Sequence, residues 1–346
     1  MLSAEDTLKL NVLITTSVAI RIDRYKLVVV GLNPQGKEQS IQLHPEGDSD
    51  AYLKEVKKLL VTQVLGAMGG YPSYLKRWSR MGQVSSSNLK SLLKLGEIEA
   101  VVAVANSQHL DDELIELTWW CATNTDEQAE IGRFLLSKDF VVQHPVGQQI
   151  AQYLLEFLPF TENIDVLIDT VNLILQADLI DEDAKLRMWQ QGQRKTAFLV
   201  GFIERLSGAL PNIDHTTAID FNQPDLAIVS TEQAQILLKT IAHILKKINQ
   251  EDVLYRTLEV LGRHFQHPAV ERANTLDGID QQVDQVLADQ DNNDKLRARL
   301  LLAGVGEQLV VSYISAHGLT GSAIRKKLAN VLEPIQQALK LLTTPQ

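Results

Sequence analysis

Between Asn88 and Phe160, apolar residues recur at helical spacing in short segments that are separated by polar loops. Helices of about three turns with apolar faces on more than one side are typical of stacked antiparallel helix pairs. The segment from Leu95 to Val101 resembles the first helix of a HEAT-type repeat. No fixed repeat period is present, so a regular solenoid and an irregular helical array both remain open.

The centre of this stretch is the sequence Leu117–Cys121, which holds two of the four tryptophans and the only cysteine. An acidic first turn at Asp111–Glu113 favours a helix that begins there, because carboxylates complement the positive end of the helix dipole. Apolar residues at helical spacing place Cys121 on its buried face. The double tryptophan Trp119-Trp120 is therefore predicted to mark a core.

The first fifty residues follow a different pattern. Apolar and polar residues alternate over Val18–Ile22, which is the period of a half-buried strand, and Leu27–Leu32 is a continuous β-rich run. Asn33–Gly36 is a strong turn sequence, because proline fixes one φ and glycine accepts a positive one. We predict a small antiparallel β-meander with a hairpin turn near Asn33–Lys37. It must pack on helices, since such a sheet is too small to stand alone.

Helices are predicted over most of the remaining chain. Asp181–Asp183 opens a longer helix through Leu206, and Gly208–Pro224, rich in proline, asparagine, aspartate and threonine, is the best candidate domain boundary. Beyond it, Ser230 and Gln233 match a capping box. The predicted fold is mainly α, an irregular α-α helical array or a HEAT-like solenoid with a small N-terminal antiparallel β-meander. Its predicted parts are the β-meander over residues 1–50, the helical array over 51–208 and a C-terminal helical bundle over 225–346.

Several long apolar stripes predict single helices. They run over Leu92–Ala105 and over Leu296–Ile314. Another runs over Ile324–Leu342 across Pro334, where a helix should kink or begin anew. A helix cap is predicted at Asn124–Thr125, because short polar side chains can accept hydrogen bonds from the first free N–H groups of a helix.

The composition limits the class of protein. Apolar residues make up 45% of the 346, which is enough for a sizeable core, and the formal net charge of −10 disfavours nonspecific contact with nucleic acid or anionic lipid. A single cysteine excludes an internal disulfide framework and fits a reducing compartment. No apolar run reaches the roughly 18 to 20 residues of a membrane span, and the first residues lack a signal-peptide pattern. A cytoplasmic protein without membrane contact is expected.

Cys121 is the only candidate thiol nucleophile or sulfur carrier. A reactive cysteine needs exposure and a lowered pKa, which usually comes from a helix amino terminus or a neighbouring cation. Cys121 lies late in an apolar helix with no lysine or arginine within several residues. The pattern therefore favours a small buried hydrophobic residue over a thiol site, because free cysteine is commonly buried.

The segment Tyr71–Arg80 interleaves three cations with three aromatic residues. Such a surface can hold an anion, stack a base or bind an acidic partner. The simpler interpretation is an ordinary amphipathic helix whose cations extend their stems over apolar surface. The candidate partner-binding or anion-binding residues are Tyr71, Tyr74, Lys76, Arg77, Trp78 and Arg80.

Other motifs do not support chemistry. His264 and His267 are three residues apart, but Pro268 ends the helix there and no third ligand has a recognisable spacing. The Gly66–Gly70 stretch lacks the Gly-Lys-Ser/Thr ending of a P-loop, and Gly304–Gly306 lacks the third glycine of a dinucleotide-binding motif. Both stretches are better explained by close helix packing or a chain break. No catalytic residues, no metal site and no cofactor are predicted.

Five stretches of the sequence resemble the sulfur reduction protein DsrS family. They are Gly69–Gly82, Leu95–Asn106, Trp119-Trp120, Glu156–Phe160 and Arg194–Phe202. These anchored stretches are spread through the region 20–205, and the resemblance does not rest on one short motif. The family accompanies the reverse-acting dissimilatory sulfite reductase genes of sulfur-oxidising bacteria and is soluble and cytoplasmic. It supplies no catalytic residues that can be carried over to this chain.

The resemblance implies a non-catalytic accessory or regulatory protein of cytoplasmic dissimilatory sulfur oxidation. Helical arrays present extended binding faces, so we expect a scaffold that binds a protein of the sulfur-oxidation machinery. Two alternatives remain open. The chain can handle sulfur through a persulfide on Cys121, or it can bind RNA through Tyr71–Arg80 and regulate expression.

Overall fold

The computed structural model describes residues 2–66, 86–176, 179–205, 231–288, 293–317 and 321–343. Within these ranges the chain forms 18 α-helices, one short 3-10 helix and one three-stranded antiparallel sheet near the amino terminus. The predicted mainly α fold with a small N-terminal β-meander is confirmed. The chain divides into two compact units, residues 1–156 and 157–346. The predicted boundary at 208–224 falls inside the second unit and outside the described residues.

The first unit begins with a helix and the sheet: α1 (Ala4–Thr16), β1 (Ala19–Asp23), β2 (Val28–Leu32) and β3 (Glu38–Gln42). The strands lie in the order β1-β2-β3, with Val30 opposite both Arg21 and Ser40. The predicted hairpin turn is confirmed, since the backbone N–H of Asn33 donates to the carbonyl of Lys37 at 3.0 Å. Further helices follow: α2 (Ser49–Leu65), α3 (Ser86–Leu92), α4 (Ile98–Ala105), α5 (Asp112–Ala122), α6 (Gln128–Leu136), α7 (Asp139–Val142) and α8 (Pro145–Phe157).

Helix α1 was not predicted. It begins at the N-cap residue Ser3, whose hydroxyl accepts a hydrogen bond from the backbone N–H of Asp6 at 3.0 Å. Ser3 is a residue type that favours this position, so the sequence contained a signal for the helix. The Tyr52 hydroxyl of α2 donates to the buried carboxylate of Asp6 and so joins the two helices. The sheet packs on them through a shared core that includes Leu10, Leu13, Ile20, Val29, Val56 and Leu60.

Two predictions of helix ends in the first unit were wrong. Leu92–Ala105 is not one helix, because the chain turns between α3 and α4 at Gly96, whose φ is +62°. A Cβ on Gly96 would lie 2.9 Å from the Ile22 side chain, so the turn is also tightly packed. Helix α6 is preceded by Glu127 rather than capped at Asn124–Thr125.

The second unit is helical throughout its described residues. After a 3-10 turn at Leu158–Phe160 come α9 (Ile164–Ile174), α10 (Glu182–Gly192), α11 (Ala197–Arg205), α12 (Glu232–Lys247), α13 (Glu251–His264), α14 (Leu276–Leu287), α15 (Asp294–Ala303), α16 (Gln308–His317), α17 (Ser322–Lys327) and α18 (Ala329–Thr343). Helix α11 packs against α9, while α18 packs against α12 and α15. Within the described ranges no helix is long and apolar enough to cross a membrane.

The long helices predicted in this unit are each divided. The helix opening at Asp181–Asp183 breaks after Gly192, where a Cβ would lie 2.6 Å from Leu199. The Leu296–Ile314 helix breaks at Gly304, where a Cβ would lie 2.7 Å from Ile279. Close packing thus determines both breaks, as was predicted for Gly304–Gly306.

Two further boundaries also differ from the predictions. The cap of α12 is Thr231, whose hydroxyl accepts from the N–H of Ala234 at 3.3 Å, rather than Ser230. The last stripe breaks at Leu328, and Pro334 lies inside α18. Proline is tolerated there because it removes only the hydrogen bond to Asn330, four residues earlier, while the apolar face stays buried.

Candidate functional site

The predicted binding segment Tyr71–Arg80 lies outside the described residues. Its role in binding an anion, a partner or RNA stays a prediction. RNA binding there would be salt-dependent and would weaken when Lys76, Arg77 and Arg80 are changed to alanine. The other candidate, Cys121, lies within the described part of the chain.

Cys121 is buried in the first unit. Its side chain is 2% exposed, and the thiol approaches the carbonyl oxygens of Leu93 at 3.7 Å and Ile20 at 3.9 Å. Burial raises the pKa of this thiol to about 12, outweighing the opposite effect of the Arg21 charge. The thiol is therefore protonated and shielded at neutral pH, as the interpretation of a small buried residue expects. Persulfide chemistry requires an accessible thiolate.

The two adjacent tryptophans point to different environments. Trp119 is 8% exposed and lies edge-on to Tyr153, with ring centroids 5.5 Å apart. Trp120 is only half-buried, because consecutive side chains on an α-helix such as α5 are about 100° apart around the axis. The predicted core marker is thus confirmed for Trp119, whereas Trp120 belongs to the surface.

Arg21, Glu38 and Trp120 form a compact group, here called the Arg21 cluster. The Arg21 guanidinium lies 4.5 Å from the centre of the Trp120 ring and donates to the Trp120 carbonyl at 3.1 Å. Glu38 accepts from Arg21 at 3.0 Å and from the Trp120 indole N–H at 2.7 Å. A cation over an indole and two hydrogen bonds fix the tryptophan, so β1, β3 and α5 present one oriented aromatic surface.

Beside this cluster, the β1–β2 turn is held by its own side chains. The Asp23 carboxylate accepts from the backbone N–H groups of Tyr25 at 3.1 Å and Lys26 at 2.9 Å. Leu27 then takes a φ of +55°, which returns the chain into β2. This turn leaves the Tyr25 ring 76% exposed. A rigid turn that exposes a tyrosine suits recognition, because little conformational freedom is lost on binding.

The loop after α5 faces this turn. Asn124 takes a φ of +64°, and its backbone N–H donates to the Gln128 side chain at 2.9 Å. The Thr125 hydroxyl donates to the carbonyl of Ala122 at 2.7 Å. The Tyr25 hydroxyl and the Asp126 carboxylate then meet at 3.2 Å. The turn and the loop are thereby joined across one hydrogen bond.

Between them lies a cleft of about 290 Å³, here called the hairpin cleft, which also reaches α2 and the turn at Gly96. A second cleft of about 170 Å³ shares part of its lining and includes Arg21. The hairpin cleft carries charges of both signs. Its charged lining residues are Asp23, Arg24, Asp50, Lys54, Lys57, Asp126 and Glu127.

One of the cations that line the cleft, Lys57, is held in place by an ion pair. Lys57 donates to the Glu97 carboxylate at 2.9 Å, and the Glu97 side chain is 10% exposed. Burial raises the pKa of Glu97 more than the Lys57 charge lowers it. The pair consequently holds the lysine stem at the cleft wall.

No described residues form a group of three or more histidine, cysteine, aspartate or glutamate side chains suited to a metal ion. His264 is half-buried, and burial together with the Arg263 charge lowers its pKa to about 4. Burial also lowers the pKa of His267. The hairpin cleft combines an exposed phenol ring, charges of both signs and a turn held by hydrogen bonds.

Comparisons with protein-family models, with curated proteins and with solved structures each found no match. Sequence reasoning missed the hairpin cleft and the Arg21 cluster. Arg21 and Trp120 lie 99 residues apart, and no periodicity brings them together. The one local signal was the turn sequence Asp23–Lys26, which places a tyrosine among charged residues.

Proposed function

We propose that this chain is a non-catalytic accessory or regulatory protein of cytoplasmic dissimilatory sulfur oxidation. It acts as a helical scaffold that binds a protein partner through the hairpin cleft. The pathway part of the proposal is supported by the resemblance of residues 20–205 to the DsrS family. The binding part is supported chiefly by one observation, the 76% exposed Tyr25 on a rigid turn at a cleft of mixed charge.

The size and lining of the cleft favour a protein partner. At about 290 Å³ it lies at the lower limit for small-molecule sites, which are usually larger and mostly apolar. Tyrosine is enriched among the residues that dominate protein interfaces. Charges of both signs set the orientation and choice of a protein partner, whereas nucleic acid would favour one positive field.

The buried thiol supports binding over sulfur chemistry. Persulfide formation on Cys121 would need the thiolate at the surface, but its side chain is 2% exposed. The Arg21 cluster and the hairpin cleft instead place their polar groups outward, on elements held by the shared core of α1, the sheet and α2.

The test is affinity capture of the tagged chain from a sulfur-oxidising host, followed by quantitative mass spectrometry. The wild type should retain a protein of the sulfur-oxidation machinery. Tyr25→Ala should lower its recovery at least about tenfold, because loss of a central aromatic anchor commonly costs about 2 kcal/mol of binding free energy.

Phe160→Ala is the matched control, since Phe160 is 73% exposed and lies in the second unit. It should leave the recovery unchanged. The proposed surface would be wrong if both variants retained the same partner at the wild-type level. The proposed pathway would be wrong if every retained partner acted outside sulfur oxidation.

A further inference from the structure

In the second unit a groove of about 580 Å³ runs between α12 and α18. The two helices are antiparallel, because the Gln235 side chain near the start of α12 donates to the carbonyl of Leu342 near the end of α18 at 2.9 Å. The groove is lined mainly by polar donors, and Glu333 is the one acidic residue among its described lining residues. The lining donors are Lys239, His243, Lys246, Gln336, Gln337, Lys340 and Thr343.

Three lysines against one glutamate make this groove positive in a chain of net charge −10. Lys239, Lys246 and Lys340 are all exposed. Among the described residues, no carboxylate forms a salt bridge with Lys239 or Lys246. By contrast, Lys57, Lys90 and Lys185 each have a carboxylate partner.

The positive region continues past the end of α12. Arg325 donates to the carbonyl of Ile248 at 2.6 Å, which brings the basic sequence Arg325–Lys327 beside that end. Cations at the last turn of α12 also complement the negative end of its dipole. That effect explains Lys246 and Lys247 but not Lys239, which lies two turns earlier, or Lys340 on the facing helix.

We propose that this lysine groove, defined by Lys239, Lys246 and Lys340, binds an acidic segment of a partner protein. Lys239 and Lys246 are seven residues apart on one helix face, so their Cα atoms lie about 10 Å apart. Carboxylates seven residues apart on a helix have the same spacing and lie on one face. The Gln336 and Gln337 amides can pair with the backbone of such a segment.

The lining disfavours nucleic acid. Among the described residues, no phenylalanine, tyrosine or tryptophan lines the groove, so bases lack a large stacking surface. No described arginine lines it either, and arginine is the residue that makes planar two-pronged contacts with phosphate. Lysine ammonium groups on flexible stems suit carboxylates that arrive in more than one arrangement.

This groove is distinct from the hairpin cleft, and its role does not depend on the proposed pathway. The net charge of −10 opposes the approach of an acidic segment, whereas the lysines of the groove attract it. Association should therefore depend on these lysines. Its strength should fall as salt screens the lysines.

The test is fluorescence anisotropy of the full chain with a labelled 12-residue polyglutamate probe at low salt. A 12-nucleotide oligouridylate is the competing probe. The groove variant carries Lys239→Gln, Lys246→Gln and Lys340→Gln together. The control variant carries Lys9→Gln, Lys37→Gln and Lys58→Gln, which removes the same charge from exposed positions of the first unit.

The expected result is polyglutamate binding that weakens about tenfold or more in the groove variant and less than about twofold in the control. Equal weakening in both variants would show that binding depends on the net charge of the chain rather than on the groove, and it would overturn the proposal. So would an absence of binding at low salt, or tighter groove-dependent binding of oligouridylate. Sedimentation velocity tests whether a second copy of this chain occupies the groove. A dimer of the wild type that becomes a monomer in the groove variant would also overturn the proposal.

Discussion

The two units place their charged groups in opposite ways. In the first unit, acidic and basic residues alternate around the hairpin cleft on a backbone held by the Asp23 turn and the loop at Asn124. In the second unit, Arg256 binds Glu204 and Asp169 at 2.6 Å each, while the lysines of the groove stay exposed. Mixed charges favour one orientation of a bound partner, whereas a groove with an excess of positive charge attracts an acidic partner at a distance.

The interiors differ as well. The first unit buries its thiol without a charged partner at hydrogen-bonding distance. The second unit holds a half-buried imidazole and a guanidinium with three neighbouring carboxylates. The differences between the two units, in their interiors and at their surfaces, lead to four expected outcomes. They follow from the largest effect to the smallest.

The largest effect concerns Cys121. A pKa of about 12 instead of the ordinary 9.0 lowers the thiolate fraction near neutral pH about a thousandfold. We expect a disulfide reagent at pH 7.5 to label the folded chain at least about a thousandfold more slowly than the urea-unfolded chain. Rapid labelling of the folded chain would show that the first unit exposes its thiol, and it would favour sulfur handling over binding.

The next effect is the response of the second unit to acid. The pKa of His264 is about 4 in the folded chain and near 6.5 when unfolded, so the unfolded state binds the proton first. The contribution of the neutral His264 ring to the free energy of unfolding is fully present above pH 6.5. About 3 kcal/mol of it is lost as the pH falls from 6.5 toward 4. Hydrogen exchange of α13 between pH 7 and pH 4.5, corrected for intrinsic rates, measures this loss.

His264→Gln should flatten that pH dependence because it removes the titrating ring. The exposed His109 of the first unit provides the control, and His109→Gln should leave the α13 response unchanged. A pH response of α13 that is identical in wild type and His264→Gln would exclude this imidazole as its cause.

A smaller loss is expected for Arg256→Met, about 2 kcal/mol of stability in the second unit. The methionine keeps much of the apolar stem but leaves Glu204, whose side chain is 11% exposed, without its cation. Arg297→Met is the matched control, because Arg297 also pairs with more than one carboxylate, Asp280 and Asp284, but at the surface. It should cost less than about 1 kcal/mol. Hydrogen exchange of α9 and α11 measures the loss of stability. Equal losses in the two variants would contradict the expected difference between a partly buried and a surface ion pair.

The smallest effect distinguishes the two binding surfaces by salt. Raising salt from 50 to 300 mM should weaken polyglutamate binding at the lysine groove about tenfold, because the screening length falls below the lysine spacing. Binding of the captured partner at the hairpin cleft should change less than about threefold, since attractive and repulsive charges there are screened together. Anisotropy titrations at both salt concentrations measure this, and equal slopes would remove the distinction.

Much of the fold could be predicted from local pattern. Period-two alternation and the Asn33–Gly36 turn predicted the sheet, and helical spacing predicted most helices. The breaks at Gly96 and Gly192 were missed because they depend on packing contacts: Gly96 packs on Ile22, and Gly192 packs on Leu199. An amphipathic stripe continues through such a glycine, so the stripe alone cannot show where the chain turns.

The candidate surfaces were less predictable than the fold. Lys239 and Lys246 share a helix face, which their spacing shows, but Lys340 joins them only through the packing of α18 on α12. The Arg21 cluster likewise combines residues from β1, β3 and α5. The burial of Cys121 was predictable, because an apolar helix face and the absence of nearby cations already indicated it.

The central claim is that this protein works by binding at the hairpin cleft and not through its thiol. Its most direct test compares Tyr25→Ala with Cys121→Ala in a sulfur-oxidising host, measuring sulfur-oxidation rate and partner recovery at matched protein levels. Loss of both quantities in Tyr25→Ala, with near wild-type values in Cys121→Ala, is the predicted result. Loss in Cys121→Ala with full retention in Tyr25→Ala would contradict it.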